Sequence, residues 1–298
     1  MTRSLIDFLK KQDVEFIESF DISSVSAIGI GGVASVAVMP NDETQLINVI
    51  EFLYSNGIKF KIVGRMTNIL QIEDIYNGVL ILTGKMSGYS LAENIVAVKC
   101  GAVLSKILKE VSAENLGGAE ELYGIPGSVG GMVYGNAGAY GKAVSDIFVS
   151  ARFYCPSEKR IFHLTNSDMN FSYRSSLIKN TDYVLLSSEL LFQNKQKEDV
   201  TKRIREITNL RQLSQPYGKK SLGSVFKRYS DVPISKLIDE LGLKGLTVGG
   251  ASVSKKHAGF IVNNGDARAG DVLRLIEIIK EKIYNAYGIV AEEEIEYM

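Results

Sequence analysis

Between Gly124 and Gly141 the chain carries seven glycines in eighteen residues and no charged side chain. Average usage of about 7% would place roughly one glycine there. Glycine gathers where a backbone must take positive φ, or where a ligand must touch main-chain N–H groups directly. A loop of this kind suits a large, flat, phosphate-bearing cofactor held by backbone donors, not a small cation. The competing reading is a cluster of glycine turns in a β protein. A shorter loop, Gly64 with Thr67 and Asn68, follows the apolar run Phe60-Lys61-Ile62-Val63 and suits a pyrophosphate held in the same way.

Other chemistries are poorly served. With only His163 and His257, a histidine-rich metal site is nearly excluded, and no metal is expected. Cys100 and Cys155 lie far apart without metal spacing, and Cys100 closely follows Ile95-Val96-Ala97-Val98, so a buried core thiol is expected there. Gly29-Ile30-Gly31-Gly32-Val33-Ala34 matches Gly-x-Gly-x-x-Ala, but a strand-like run follows it where a dinucleotide fingerprint needs a helix. No Gly-x4-Gly-Lys-[Ser/Thr] run occurs, which argues against a P-loop nucleotidase.

The glycine run resembles the central flavin-contacting loop of the UDP-N-acetylenolpyruvoylglucosamine reductases, also called UDP-N-acetylmuramate dehydrogenases. Further blocks lie in that family's order: Gly29 to Ala34 ahead of Pro40, Gly64 with Asn68 ahead of Asn77-Gly78, Tyr173-Arg174-Ser175-Ser176, and Arg211 to Pro216. Gly223-Ser224-Val225-Phe226-Lys227, Val253 to Ala258 and Glu292-Glu293-Glu294-Ile295 complete the set. The resemblance implies an α+β chain in which a two-part FAD-binding domain of the vanillyl-alcohol oxidase (PCMH) type precedes an α+β substrate-binding domain. It implies an NADPH-dependent flavoprotein oxidoreductase of peptidoglycan precursor synthesis. FAD would be bound non-covalently, NADPH would be the co-substrate, and UDP-N-acetylglucosamine enolpyruvate would become UDP-N-acetylmuramate.

Reduction of that enol ether puts hydride on the β-carbon and builds negative charge on the α-carbon and its carboxylate. A cation, a proton donor and a polar partner suffice for this. The resemblance assigns these roles to Arg174, Ser224 and Glu294. Arg174 cannot lose its proton and can fork onto a carboxylate. Without the resemblance, an arginine at a strand–loop junction reads as a solvated surface residue, a lone serine as structural, and an acidic run as an exposed strand end. By the same resemblance, Gly64, Thr67, Asn68, Tyr123, Gly124, Ile125, Pro126, Gly127, Ser128, Val129, Asn136, Gly138 and Gly141 surround the flavin. Tyr173, Lys227, Arg228 and His257 face the substrate, with a plain structural role the alternative for His257. Only fifty residues separate Arg174 from Ser224, so the form resembled is the shorter one, without an extra substrate loop.

These residues need elements to position them. Val33–Val38 has strand composition, Asp42 or Glu43 can start a helix carrying Leu46, Ile47, Val49, Ile50 and Leu53, and Gly57 can close it before a strand at Phe60–Val63. That is a βαβ unit. Asn77-Gly78 reads as a turn ahead of a strand at Val79–Leu82. A second α+β segment, from about Asn94 to about Gln193, holds a strand into Cys100, a helix near Leu104–Ser112, the glycine run, and strands around Phe148–Phe153 and Tyr183–Phe192. The polar stretch 193–199 is a linker or the start of a helix. Val272, Leu275, Ile276, Ile279 and Ile283 recur at helical spacing through Asp271–Tyr287, Gly288 closes that helix, and a last strand is expected to end at Met298. The domains are expected at 1–194, in parts 1–85 and 86–194, and at 195–298.

The 298 residues are 45% hydrophobic and carry 34 basic against 34 acidic side chains. No basic excess points to nucleic acid, and no window of 18 apolar residues points to membrane insertion. The N-terminal stretch is amphipathic without the apolar core of a signal peptide, so a cytoplasmic protein is expected; separately, a monomer is expected. Several positions depart from the family pattern. Its Gly-x-Gly-Ser-Asn reads Gly64-Arg65-Met66-Thr67-Asn68, its Phe-Lys-Asn-Pro reads Phe226-Lys227-Arg228-Tyr229, and its basic residue two places after the glutamate is Glu296. Two competitors follow: a flavin-dependent oxidoreductase of the same fold on another substrate, and a catalytically silent flavin- or nucleotide-binding homologue.

Overall fold

The computed structural model of the chain describes residues 2–298 and divides into two compact units. The first comprises the N-terminal segment to Ser19, Ser35–Arg65 and Asn77–Asn209; the second comprises Phe20–Ala34, Met66–Tyr76 and Leu210–Met298. The expected single boundary near residue 195 therefore differs from the division observed. The polar stretch at 193–199 leads straight into a helix, Lys197–Ser214, and the second unit begins within it. Segments 20–34 and 66–76 join the second unit because their apolar residues Ile28, Ile30 and Leu70 are buried in its core. Asn263 also donates its side-chain amide to the Ile28 carbonyl, 2.9 Å away.

The first unit is built on two sheets. One has the order Glu15–Asp21, Val33–Met39, Ile75–Leu82, Phe60–Val63, with the last two strands parallel. Its crossover helix is Glu43–Ser55. Asp42 caps it by accepting from the Gln45 N–H at 2.9 Å, and Leu46, Val49, Ile50 and Leu53 are buried. Gly57 follows with φ 61°, the left-handed turn that glycine permits at a helix end. The expected turn at Asn77-Gly78 is not one: both residues lie inside the strand Ile75–Leu82. Membership of a strand in the interior of the sheet overrides the turn preference of the dipeptide.

The second sheet is antiparallel throughout, in the order Arg160–Thr165, Phe148–Cys155, Val184–Leu191, Ile95–Lys99, Tyr89–Ala92. Helix Leu104–Val111 buries Leu104, Ile107, Leu108 and Val111. It shares one apolar cluster with Leu46, Val98, Val133, Phe153 and Phe192. Both cysteines are buried and free, and burial pushes the Cys100 thiol up to about 12. The thiol is thus inert, as a core cysteine should be.

The second unit holds a four-stranded antiparallel sheet in the order Lys220–Ser224, Phe260–Asn263, Ala251–Val253, Thr247–Val248. Helices Ile234–Glu240 and Ala269–Tyr287 belong to the same unit. The longer helix buries Val272, Leu275, Ile276, Ile279 and Ile283, the five residues whose spacing called for it, and Gly288 ends it at φ 69°. The expected last strand is shorter. Only Glu296–Tyr297 pairs, in parallel with Ile69–Leu70, and Glu293 forms an isolated bridge with Phe226. Among the described residues no helix is long and apolar enough to cross a membrane.

Candidate active site

In the first unit the glycine run is not loop throughout. Val129–Tyr134 forms a short helix, and Ser128 caps it by accepting from the Gly131 N–H at 3.3 Å. Backbone bonds from Val129 to the Ala102 carbonyl and from Gly130 to the Cys100 carbonyl, each 2.8 Å, fasten it just beyond the strand Ile95–Lys99. Of the two glycines in this helix, Gly130 is closely packed, since a Cβ there would approach the Cys100 carbonyl oxygen at 3.1 Å, whereas Gly131 has ordinary room. Gly64 is required more strictly, since a Cβ there would lie 2.1 Å from Ser128 Oγ. The two loops thus meet backbone against side chain. Ser105 Oγ accepts from the Gly124 N–H at 2.8 Å, a support that nothing in the sequence signalled.

This geometry decides whether a phosphate-bearing cofactor fits. Gly124 and Gly127 take φ 80° and 136°, so the chain reverses without side chains in the way. Among the described residues, the N–H groups of Gly127 and Ser128 donate to no other group. Uncommitted donors in a charge-free glycine loop are what an anionic dinucleotide needs, so the residues fit FAD. Tyr123 and Ile125 pack partly against the first core.

The Asn136 side chain is fixed at both ends. Its amide donates to the Ser172 carbonyl at 2.9 Å and its Oδ1 accepts from the Ser145 N–H at 3.1 Å. It ties the glycine run to the turn that carries Arg174. In that turn Ser172 and Ser175 exchange backbone hydrogen bonds of 3.1 and 3.2 Å, and Arg174 is held at φ 56°. A non-glycine residue in the left-handed region is strained. The guanidinium donates to the Gly138 carbonyl at 3.0 Å and lies 5.2 Å from the Tyr173 ring. Its aim is therefore determined by the flavin-loop backbone.

In the second unit Ser224 ends the strand Lys220–Ser224, opposite Phe260. Its hydroxyl reaches the Phe226 carbonyl only at 3.5 Å, too long for a strong bond. Gly259 makes room for it, since a Cβ there would lie 3.0 Å from Ser224 Oγ and 3.1 Å from His257 Cε1. Ser224 and His257 are thus neighbours. His257 Nδ1 accepts from the Gly259 N–H at 3.1 Å, which places the proton of the neutral ring on Nε2. Burial, aided by the Lys244 charge, pushes the His257 pKa down and favours that neutral form.

Glu294 is brought to the same place by backbone pairing. Its N–H donates to the Val225 carbonyl at 2.7 Å, and the Lys227 N–H donates to the Glu292 carbonyl at 2.9 Å. Asn68 donates its amide to the Glu294 carbonyl at 3.0 Å. Its own carbonyl accepts from the Glu296 N–H at 2.8 Å. The Asn68 side chain thus orients the glutamate segment. Lys227 Nζ pairs with Glu292 at 3.2 Å. Arg228 lies exposed in the hairpin Arg228–Tyr229/Val232–Pro233.

Met66 explains one departure from the family pattern. It keeps φ 45°, the conformation a glycine would favour, yet is 2% exposed. The left-handed strain costs roughly 1–2 kcal/mol, whereas burying its side chain contributes about 1.5–3 kcal/mol and glycine would add about 0.5–1 kcal/mol of unfolded-state entropy. Burial wins, so Met66→Gly is expected to lower stability by about 1 kcal/mol in a denaturant titration. A variant more stable than the parent would show that strain dominates instead.

Comparison with known proteins agrees with this geometry. Residues 34–162 match the family model of an FAD binding domain, and residues 215–298 match that of the UDP-N-acetylenolpyruvoylglucosamine reductase C-terminal domain. The UDP-N-acetylenolpyruvoylglucosamine reductase of Caldicellulosiruptor saccharolyticus is 38% identical over 97% of this chain and 94% of its own. That of Clostridioides difficile is 37% identical over 99% and 96%. The crystal structure of the UDP-N-acetylenolpyruvylglucosamine reductase from Thermus caldophilus superposes with a TM-score of 0.81 at 29% identity, covering 95% of this chain and 98% of that one. Berberine bridge enzyme from Eschscholzia californica shares the fold alone, at a TM-score of 0.50 and 13% identity over 65% of this chain and 44% of that one. The α+β architecture with a flavin-binding part of the oxidase type is therefore the one present. On these matches, which span almost its whole length, the chain belongs to the UDP-N-acetylenolpyruvoylglucosamine reductase family.

Proposed function

We propose that this chain reduces UDP-N-acetylglucosamine enolpyruvate to UDP-N-acetylmuramate at the expense of NADPH, supplying peptidoglycan precursor synthesis. The observation that carries the reading is the pairing of the Ser224 and Glu294 segments: Glu294 N–H bonds the carbonyl of the residue after Ser224, at 2.7 Å. A flavin oxidase acting on another substrate makes no enolate and has no use for a hydroxyl proton donor beside a carboxyl group. Bound FAD would supply the hydride chemistry, relaying a hydride from NADPH to the β-carbon of the enol ether. Gly64, Thr67, Asn68, the residues from Tyr123 to Val129, Asn136, Gly138 and Gly141 would hold it.

Arg174 pairs with the substrate carboxylate, on which negative charge grows as the β-carbon is reduced. Its fixed guanidinium needs no reorganisation, which is how preorganised charge lowers a barrier. Ser224 gives its hydroxyl proton to the α-carbon, and Glu294 is the polar partner of that transfer. A serine is a weak acid, yet here the acceptor is a strongly basic carbon and the donor is placed in advance. Tyr173, Lys227, Arg228 and His257 bind the sugar nucleotide. The reading extends to a monomer acting in the cytoplasm, and a single species of one chain's mass on size exclusion would agree.

The test is direct. Purified protein should be yellow, release FAD into the supernatant on acid precipitation, and oxidise NADPH only when the enolpyruvyl sugar nucleotide is added. Colourless protein that takes up no added FAD would defeat the cofactor assignment. A yellow protein indifferent to that substrate would defeat the reaction.

A further inference from the structure

The carboxyl groups of Glu293 and Glu294 leave adjacent residues where the terminal segment bridges Phe226, so they point to opposite sides of an extended backbone. Glu294 has its N–H on Val225 and its C=O under the Asn68 amide. Glu293 is tied just as fully, but through its side chain. Lys280 Nζ donates to one carboxylate oxygen at 2.8 Å, and the Tyr297 hydroxyl donates to the other at 2.7 Å. A bend at Ile295, itself buried in the second core, carries Tyr297 back within reach. Lys280 stands on the helix Ala269–Tyr287 beside the buried Ile276, Ile279 and Ile283. The carboxylate therefore fastens the terminal segment to a helix anchored in the core of its unit.

We propose that Glu293, clamped by Lys280 and Tyr297, is a positioning residue that sets the aim of the Glu294 carboxyl group during reduction of the substrate. The inference rests on the reading of Glu294 as a member of the catalytic set. Both oxygens of Glu293 are occupied by different donors, so its side chain cannot rotate without breaking one bond. Burial alone would push the Glu293 carboxyl up. The hydrogen bonds from Lys280 and Tyr297, together with the Lys280 charge, hold it below the usual range, so the clamp is closed at neutral pH. Burial and the Glu293 partner push the Tyr297 hydroxyl up, so it remains a donor. Without the clamp, the segment keeps its backbone bonds to Val225 and Asn68 and its pairing with Ile69–Leu70, but loses its side-chain tie to the long helix.

The experiment uses the FAD-loaded enzyme and follows its two half-reactions separately by stopped flow. A misplacement near 1 Å costs up to about a hundredfold in rate, so Glu293→Ala, which loosens an aim still braced by the backbone pairing of its segment, is expected to slow reoxidation by substrate roughly tenfold. Flavin reduction by NADPH and substrate KM should hold. Amide exchange at Glu294, read by mass spectrometry on the terminal peptide, should quicken. Lys280→Glu and Glu293→Lys should each slow reoxidation, and the double exchange, which restores an ion pair of opposite polarity, should recover most of the loss. Should Glu293→Ala fail to fold, Tyr297→Phe removes one donor only and decides the matter by the same readouts.

Reoxidation at the parent rate in Glu293→Ala, or in Tyr297→Phe where it must stand in, overturns the proposal. Equal slowing of both half-reactions, or no recovery in the double exchange, overturns it as well. Glu294→Gln separates the two layers: if that variant reoxidises normally, the assignment of Glu294 fails and the clamp has nothing to aim. If it reoxidises slowly while the clamp variants do not, only the clamp fails.

Discussion

Ser224→Ala should slow reoxidation of the reduced enzyme by the enolpyruvyl substrate at least roughly a hundredfold, because a positioned proton donor is typically worth about 10²–10⁴ in rate. Flavin reduction by NADPH should stay nearly intact, since that half-reaction asks for no proton at the substrate carbon. The substitution is clean in structural respects. The Ser224 hydroxyl makes one long contact of 3.5 Å to the Phe226 carbonyl, so its loss leaves no well-formed bond broken. Removing Oγ also widens the space beside Gly259 instead of crowding it. Stopped-flow traces of the two half-reactions check the result. Equal slowing of both would mean that Ser224 shapes the fold or the flavin loops, and the proton would have to come from elsewhere.

Arg228→Asn is the second large effect. Lys227 and Arg228 are neighbours, so on an extended backbone they face opposite ways, and Lys227 is turned to Glu292 at 3.2 Å. Arg228 is left as the cation on the other side, exposed in its hairpin, at a position where the family pattern has a neutral asparagine. A guanidinium can take a diphosphate or carboxylate with two parallel bonds. Hydrogen bonds to charged groups contribute about 1.5–3 kcal/mol, so Arg228→Asn should raise the substrate KM roughly ten- to a hundredfold. Flavin reduction by NADPH should change little. If KM stays where it was or falls, arginine is no compensating contact, and the departure reflects another substrate preference.

What could be read from the residues alone was whatever local chemistry or periodicity dictates. The glycine run announced a backbone-lined cofactor loop because no other residue tolerates φ 80° and 136° at Gly124 and Gly127 so readily. The helix Ala269–Tyr287 was legible because five apolar residues at a 3.6-residue period have one buried face to share. The family resemblance then implied roles for Arg174, Ser224 and Glu294, though residue type by itself would have left them a surface arginine, a structural serine and an exposed acid.

Tertiary structure decided the rest, and for one reason: partners far apart in sequence outbid local preference. Asn77-Gly78 has the composition of a turn, yet it lies inside a strand in the interior of its sheet. Ile28, Ile30 and Leu70 come from the first third of the chain but are buried in the core of the second unit, which no single boundary could express. Gly130 and Gly131 sit in a helix instead of a loop, and Gly130 is packed against the Cys100 carbonyl. Met66 adopts a glycine's φ because its side chain is buried there. Glu293, one acid among three in a row, becomes distinct only through Lys280 and Tyr297, whose hydroxyl and ammonium groups reach it from a bend and a neighbouring helix. Spacing along a chain says nothing about such a meeting, because it is fixed by the burial of Ile295 and Ile279 in one core.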